Sequence, residues 1–217
     1  MQTSREISGS SARENILRRI AQSSTRSHPK PATSVRLEAV FPAVGDPRQR
    51  FLQECAGNLT EVFPAADRAH SAQALEMILS TVPAGEVYVQ DNAALQPLIA
   101  VLSQWRPVRM SSQGVPAENT QASLTAAHAF VAQTGSILTS SACGGRGASI
   151  VPPCHIVYGR GEQIVADIAA TLARIPAEIP DASYVGLITG SSRTADIEKI
   201  LVQGAHGPRR LVVILEG

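Results

Sequence analysis

Chemistry-capable side chains crowd into one stretch of this 217-residue chain, Ile188-Thr189-Gly190-Ser191-Ser192-Arg193-Thr194-Ala195-Asp196-Ile197-Glu198. An apolar run stops at Thr189, and a turn of small hydroxylated residues follows. The pattern from Thr194 to Gln203, closed by Gly204, predicts a helix. In an open α/β sheet such a junction is the carboxyl end of a strand, where ligands gather. A helix start presents unpaired N–H groups and the positive end of the macrodipole. Arg193 adds a planar fork that suits a carboxylate or a phosphate. Thr189, Gly190, Ser192, Arg193, Thr194 and Asp196 are therefore candidate anion-binding residues. The same residues also read as plain architecture, with Thr194 an N-cap, Asp196 and Glu198 first-turn acids, and Arg193 a brace to one of them.

Two other places carry similar potential. In Gly204-Ala205-His206-Gly207-Pro208, a histidine sits in a tight loop, where it can move protons or contact an anion. The pattern by itself favours a helix C-cap and proline stop with His206 hydrogen-bonded locally. In Thr134-Gly135-Ser136 the glycine allows close approach of the backbone to a ligand, or makes an ordinary turn into a strand. Cys143-Gly144-Gly145-Arg146-Gly147 brings a second guanidinium, Arg146, on a segment that also reads as a hairpin tip.

Several chemistries find no support. Gly159-Arg160-Gly161 begins like a dinucleotide fingerprint, but Ile164 stands where the third glycine belongs. No P-loop, no H-E-x-x-H and no G-x-S-x-G occurs, which leaves P-loop ATP binding, zinc-protease and α/β-hydrolase chemistry without a motif. Cys55, Cys143 and Cys154 are widely spaced, and no C-x-x-C exists, so neither an iron–sulfur cluster nor a zinc ribbon is encoded. No cofactor is evident in the sequence. The 19 basic and 18 acidic side chains leave a net charge of +1, and aromatics are 4%. Neither feature suits nucleic-acid binding. The polar first residues lack the apolar core of a signal peptide, and no apolar run is long enough for membrane insertion. Unclustered thiols fit a reducing compartment, so the expected location is cytoplasmic.

The elements that must position these residues follow from periodicity. Residues 1–33 read as an N-terminal helical arm and linker. Its helix runs from Ser11 to Ala21, with Ile16, Leu17 and Ile20 on one face, and residues 1–11 read as disordered. Residues 34–217 read as one α/β domain whose first helix passes through Phe51. Strands are expected at Leu59–Phe63, Glu86–Gln90, Pro107–Met110, Ser136–Ser140, His155–Tyr158, Val185–Thr189 and Leu211–Leu215. Helices are expected at Ser71–Ser80, Ala93–Gln104 and Glu162–Arg174. Alternation of this kind indicates βαβ units around a parallel sheet.

Taken together, Thr134-Gly135-Ser136, Arg146 with Ser149-Ile150-Val151-Pro152, Gly190 to Glu198, and Gly204 to Pro208 resemble the LUD-domain family of the lactate utilization protein C type. The likeness is firm over about residues 120–217. The chain departs from the family pattern at Ser191, where proline is usual, and at His128 and Gln133, where acidic residues are common. The resemblance implies an open three-layer α/β/α domain, like that of ribose-phosphate isomerases, glucosamine-phosphate deaminases and CoA-transferases. It also implies a non-iron–sulfur part in the oxidation of L-lactate to pyruvate, within carbon metabolism. The partners would be iron–sulfur proteins of the same system, and a small anionic ligand would sit at the Thr189–Thr194 turn. Two alternatives stay open: a stand-alone enzyme acting on a sugar phosphate or acyl-CoA, and a scaffold for iron–sulfur partners without a ligand.

Overall fold

The apolar, β-branched runs pair into one parallel sheet. In the computed structural model, which describes residues 9–24, 43–104, 106–195, 201–203 and 207–217, six strands lie side by side. Their order is β1 (Thr60–Ala65), β12 (Arg210–Glu216), β7 (Cys154–Arg160), β4 (Thr120–Ala126), β2 (Glu86–Val89) and β3 (Val108–Met110). Every neighbouring pair is parallel. Buried on both faces, β12 reads as an unbroken apolar run, as such strands do.

Two helices cover one face, α3 (Arg68–Ser80) and α4 (Gln96–Leu102). Their Leu75, Ile78, Leu79 and Leu98 pack on Val87, Leu124, Ile156 and Ile214. Pro97 falls in the first turn of α4, where its missing N–H costs nothing. The other face meets α2 (Pro47–Gly57) and a second sheet, ordered β8 (Ile164–Val165), β5 (Ala129–Val131), β6 (Ser136–Ser140) and β9 (Val185–Ile188). Phe51, Phe130 and Ile137 join Val157, Leu211, Val213 and Leu215 there. Helix α6 (Ile168–Glu178) brings Ile175 to a third cluster with Ala129 and Leu138 of the small sheet. The α/β class and the parallel sheet agree with the sequence, whereas the layer on this face is part helix and part sheet. Aspartates start the helices as caps: Asp46 accepts from Arg48 N, Asp67 from His70 N and Asp167 from Ala170 N.

Three expectations need correction. The segment from Thr194 is not a helix: β10 (Arg193–Ala195) pairs antiparallel with β11 (Leu201–Gln203). Cross-strand bonds thus replace the expected helical ones, while Asp196 to Ile200 lie outside the described residues. The helix expected from Glu162 begins only after Asp167, because Ile164 and Val165 form β8 on β5. Finally, β4 was not expected as a strand, and Gly145–Ala148 is a short helix, α5.

The chain divides into two units, residues 1–42 and 43–217. Within the first, α1 spans Gly9–Ser24, so helix includes part of the segment expected to be disordered. The rest of the expected linker, from Thr25, lies outside the described residues. Among the described residues, no helix is long and apolar enough to cross a membrane.

Candidate functional site

Strands β6 and β9 run antiparallel, with Ile137 beside Ile188 and Ser140 beside Val185. The start of β6 therefore meets the end of β9, and the Thr134-Gly135-Ser136 turn meets Thr189. Ser136 Oγ lies 2.6 Å from Thr189 Oγ1 and 2.7 Å from Thr134 Oγ1. Asn58, just before β1, donates from Nδ2 to the Thr134 carbonyl at 2.8 Å. Its own carbonyl accepts from Arg193 Nη2 at 3.1 Å. Ser192 N donates to Pro208 O at 2.8 Å. Thr134, Gly135, Ser136, Thr189, Gly190 and Arg193 thus share one cluster, with Ser192 at its edge.

Both glycines of this cluster are in the left-handed region, at φ +63° for Gly135 and +79° for Gly190. A Cβ on Gly135 would stand 2.8 Å from Cys55 N, and one on Gly190 2.4 Å from Asn58 O. The close approach expected at Gly135 is therefore to the backbone of α2. The cluster lies at the carboxyl end of β9, as expected. In the main sheet, however, Asn58 and Pro208 precede β1 and β12, so the cluster flanks the amino ends of those strands. Among the described residues, no helix start adds its N–H groups there: Thr194 pairs with Val202 across β10 and β11. Asp196 and His206 lie outside the described residues.

Arg146 is not in this cluster. Its guanidinium carbon lies 5.1 Å over the Tyr184 ring, and Tyr184 precedes β9, a four-residue strand whose far end carries Thr189. The five steps from Tyr184 to Thr189 along extended chain hold the two roughly 17 Å apart.

The group beside Arg146 was not singled out from the sequence as chemistry. His128 Nε2 lies 2.8 Å from Ser140 Oγ, and the imidazole and the Cys143 thiol perturb each other's protonation. Burial pushes that thiol up, but His128, with help from Thr139 and the Ser140 amide, brings it below its ordinary value. His128 is raised in turn, chiefly by Cys143 and against desolvation. Cys55 and Cys154 go the other way, pushed up by burial to about 12 and about 11. Fifteen positions separate His128 and Cys143 in the sequence, with no motif to pair them; only the β5–β6 hairpin does so. Among the described residues, no group of three or more His, Cys, Asp or Glu side chains is placed to hold a metal ion.

The LUD domain matches residues 49–215 of the chain, from α2 through β12. The chain belongs to the LUD domain family. Among its relatives, Lactate utilization protein C of Deinococcus radiodurans is 33% identical over 102 residues, 46% of this chain and 48% of that protein. Lactate utilization protein C of Bacillus licheniformis is 33% identical over 104 residues, 46% of this chain and 43% of that protein. The matched segment spans about half the length of these curated relatives. The crystal structure of a duf162 family protein from Deinococcus radiodurans superposes with a TM-score of 0.61 at 20% identity, covering 79% of this LUD chain and 96% of that one. That likeness concerns the fold alone.

Proposed function

We propose that this LUD-domain chain is a cytoplasmic, non-iron–sulfur component of an L-lactate utilization system, and that it takes a small anionic ligand at the Thr189–Thr194 turn. One observation carries the reading: the Thr134-Gly135-Ser136 turn, Gly190 and Arg193, distant in sequence, meet in one cluster. The names of the curated relatives supply the lactate context. Asn58 orients the Arg193 guanidinium through one Nη2 bond, and a guanidinium carries five N–H donors in all. Binding then rests on the guanidinium fork of Arg193 and the hydroxyl of Ser192. The iron–sulfur clusters of the system would reside in partner proteins.

Deletion of the coding region in a host without another lactate oxidase tests the context. Growth on L-lactate should fail and growth on pyruvate should persist; normal growth on L-lactate would overturn the role.

A structural reading of Arg193 is favoured by its bond to the Asn58 carbonyl, which ties the turn to the chain entering β1. The two readings part on one variant. If Arg193 binds the ligand, Arg193→Ala weakens binding of carboxylate probes tenfold to a hundredfold with little change in Tm, and Arg193→Lys restores only part. If Arg193 only braces the turn, Tm falls and the affinity of the folded protein is unchanged.

A further inference from the structure

A trough runs over the other end of the main sheet, across the carboxyl ends of β1, β12, β7, β4 and β2. It consists of two adjoining cavities of about 540 and 490 Å³ that share Arg68, Arg160 and Glu162 in their walls. In the strand order, the chain leaves β2 toward β3 on one side, while from β4 the strands proceed through β7 to β12 on the other. The crevice outside the carboxyl ends at such a reversal is where open parallel sheets take their ligands. Asn92, which follows β2, and Ala126, which ends β4, both line it.

Its floor holds an organised charge group. Glu216, only 8% exposed, accepts from Arg68 Nε at 2.9 Å, Tyr158 Oη at 2.8 Å and Ser71 Oγ at 3.0 Å. Burial pushes this carboxyl up, and these three donors more than offset it, so the carboxylate is ionised at neutral pH. Arg68 is locked: its Nη1 donates to Ala94 O at 3.0 Å, and its guanidinium carbon lies 5.2 Å over the Tyr158 ring. Arg160 is held less firmly. It sits 3.6 Å from Glu216 and beside the Tyr158 hydroxyl, and its ion pair at 3.2 Å is with Glu162, which is 73% exposed, a surface pair that a ligand displaces at little cost.

The geometry points to this trough as a second binding site, for a small ligand that carries an anionic oxygen group beside a hydroxyl, either a hydroxy carboxylate or a hydroxylated phosphate. Arg160 would grip the anionic group by its fork. The hydroxyl would donate to Glu216, which as a carboxylate has acceptor positions beyond those its three short partners use. This site stands apart from the Arg193 turn, since the seven residues of β12 separate the two ends of the sheet by roughly 20 Å.

Calorimetric titration of the full chain with L-lactate, D-ribose 5-phosphate and inorganic phosphate tests the inference. Saturable binding is expected for at least one of the two hydroxyl-bearing probes, and which one binds separates the carboxylate source from the phosphate source. Arg160→Ala, an exposed substitution that leaves the Arg68–Glu216 pair in place, should weaken that binding tenfold or more, and Arg193→Ala should change it less than twofold. Absence of saturable binding by either hydroxyl-bearing probe would overturn the proposal, as would equal binding of inorganic phosphate or unchanged affinity in Arg160→Ala. Loss of binding in Arg193→Ala alone would overturn it while leaving the reading of the Arg193 turn intact.

Discussion

At the scale of single residues, Gly135 and Gly190 are two positions of the Arg193 cluster where an added side chain would meet neighbouring backbone. Each has a positive φ and lies against a neighbouring backbone, Gly135 against α2 and Gly190 against the Asn58 carbonyl. Adding a methyl group meets both the left-handed strain and a clash with atoms that cannot swing away. Gly190→Ala should therefore destabilise the chain by about 2–4 kcal/mol, read as a lower urea midpoint with unchanged slope. A loss below about 0.5 kcal/mol would show that the turn repacks freely. The pairing of Cys143 with His128 makes another residue-scale forecast. His128→Ala removes the imidazole that holds the thiol down and leaves the desolvation that raises it. The Cys143 pKa, followed by thiolate absorbance in a pH titration, should rise above that of the parent; an unchanged value would remove His128 from the pair. Spacing of types along the chain found the glycines and Arg193. It had no means to find Asn58, a partner supplied from before β1, or to pair His128 with Cys143 across a hairpin.

Elements were legible where their burial matched a simple period. Helix α3 and strands β2, β9 and β12 fall at or within a few residues of the expected positions. Strand β4 was hidden because its inward positions include Ser123 and Thr125, buried polar residues that break the apolar alternation. They are tolerated because Ser123 donates to Ala148 O at 2.6 Å and Thr125 Oγ1 lies 2.9 Å from His155 Nε2. Ile164, Val165, Ile168 and Leu172 fit a helical stripe, yet the first two belong to a strand and Leu172 is 48% exposed. The true start of α6 is marked by Asp167, whose side chain caps Ala170 N at 2.7 Å. Asp167→Ala should cost about 1 kcal/mol in urea unfolding, and Asp167→Ser much less. Equal losses for the two would mean that the cap bond contributes nothing. The paired strands β10 and β11 read as helix in sequence because local preference is a weak guide that tertiary pairing overrides.

Considered whole, the molecule has a pH dependence written into its interior. His155 is 1% exposed between the main and small sheets, and desolvation lowers its pKa from 6.5 to about 4. Between those values the unfolded chain holds the proton and the folded chain does not, so stability falls as pH falls. The loss should proceed at up to about 1.4 kcal/mol per pH unit and total about 3 kcal/mol. His155→Gln should remove that component. If the variant and the parent lose stability in parallel from pH 6.5 to 4, the histidine is not its source. Fold class and the parallel sheet could be anticipated from the alternation of strands and helices. The placement of the Arg193 cluster at the amino ends of β1 and β12 could not, because strand order is not encoded in any local pattern.

That strand order also governs when the protein can fold. β1 is the first strand of the sheet in the chain and β12 the last, yet β12 lies between β1 and β7 and pairs with both. Until residues 210–216 have been synthesised, β1 has no partner strand, and the β7 side has an open, apolar edge. Folding on the ribosome must wait for this segment. The delay is long because the closing contacts bridge nearly the whole domain in sequence, the arrangement that slows folding most. A nascent chain arrested before Arg210 should remain protease-sensitive and bind chaperones, and one extended past Glu216 and clear of the exit tunnel should become resistant in a single step.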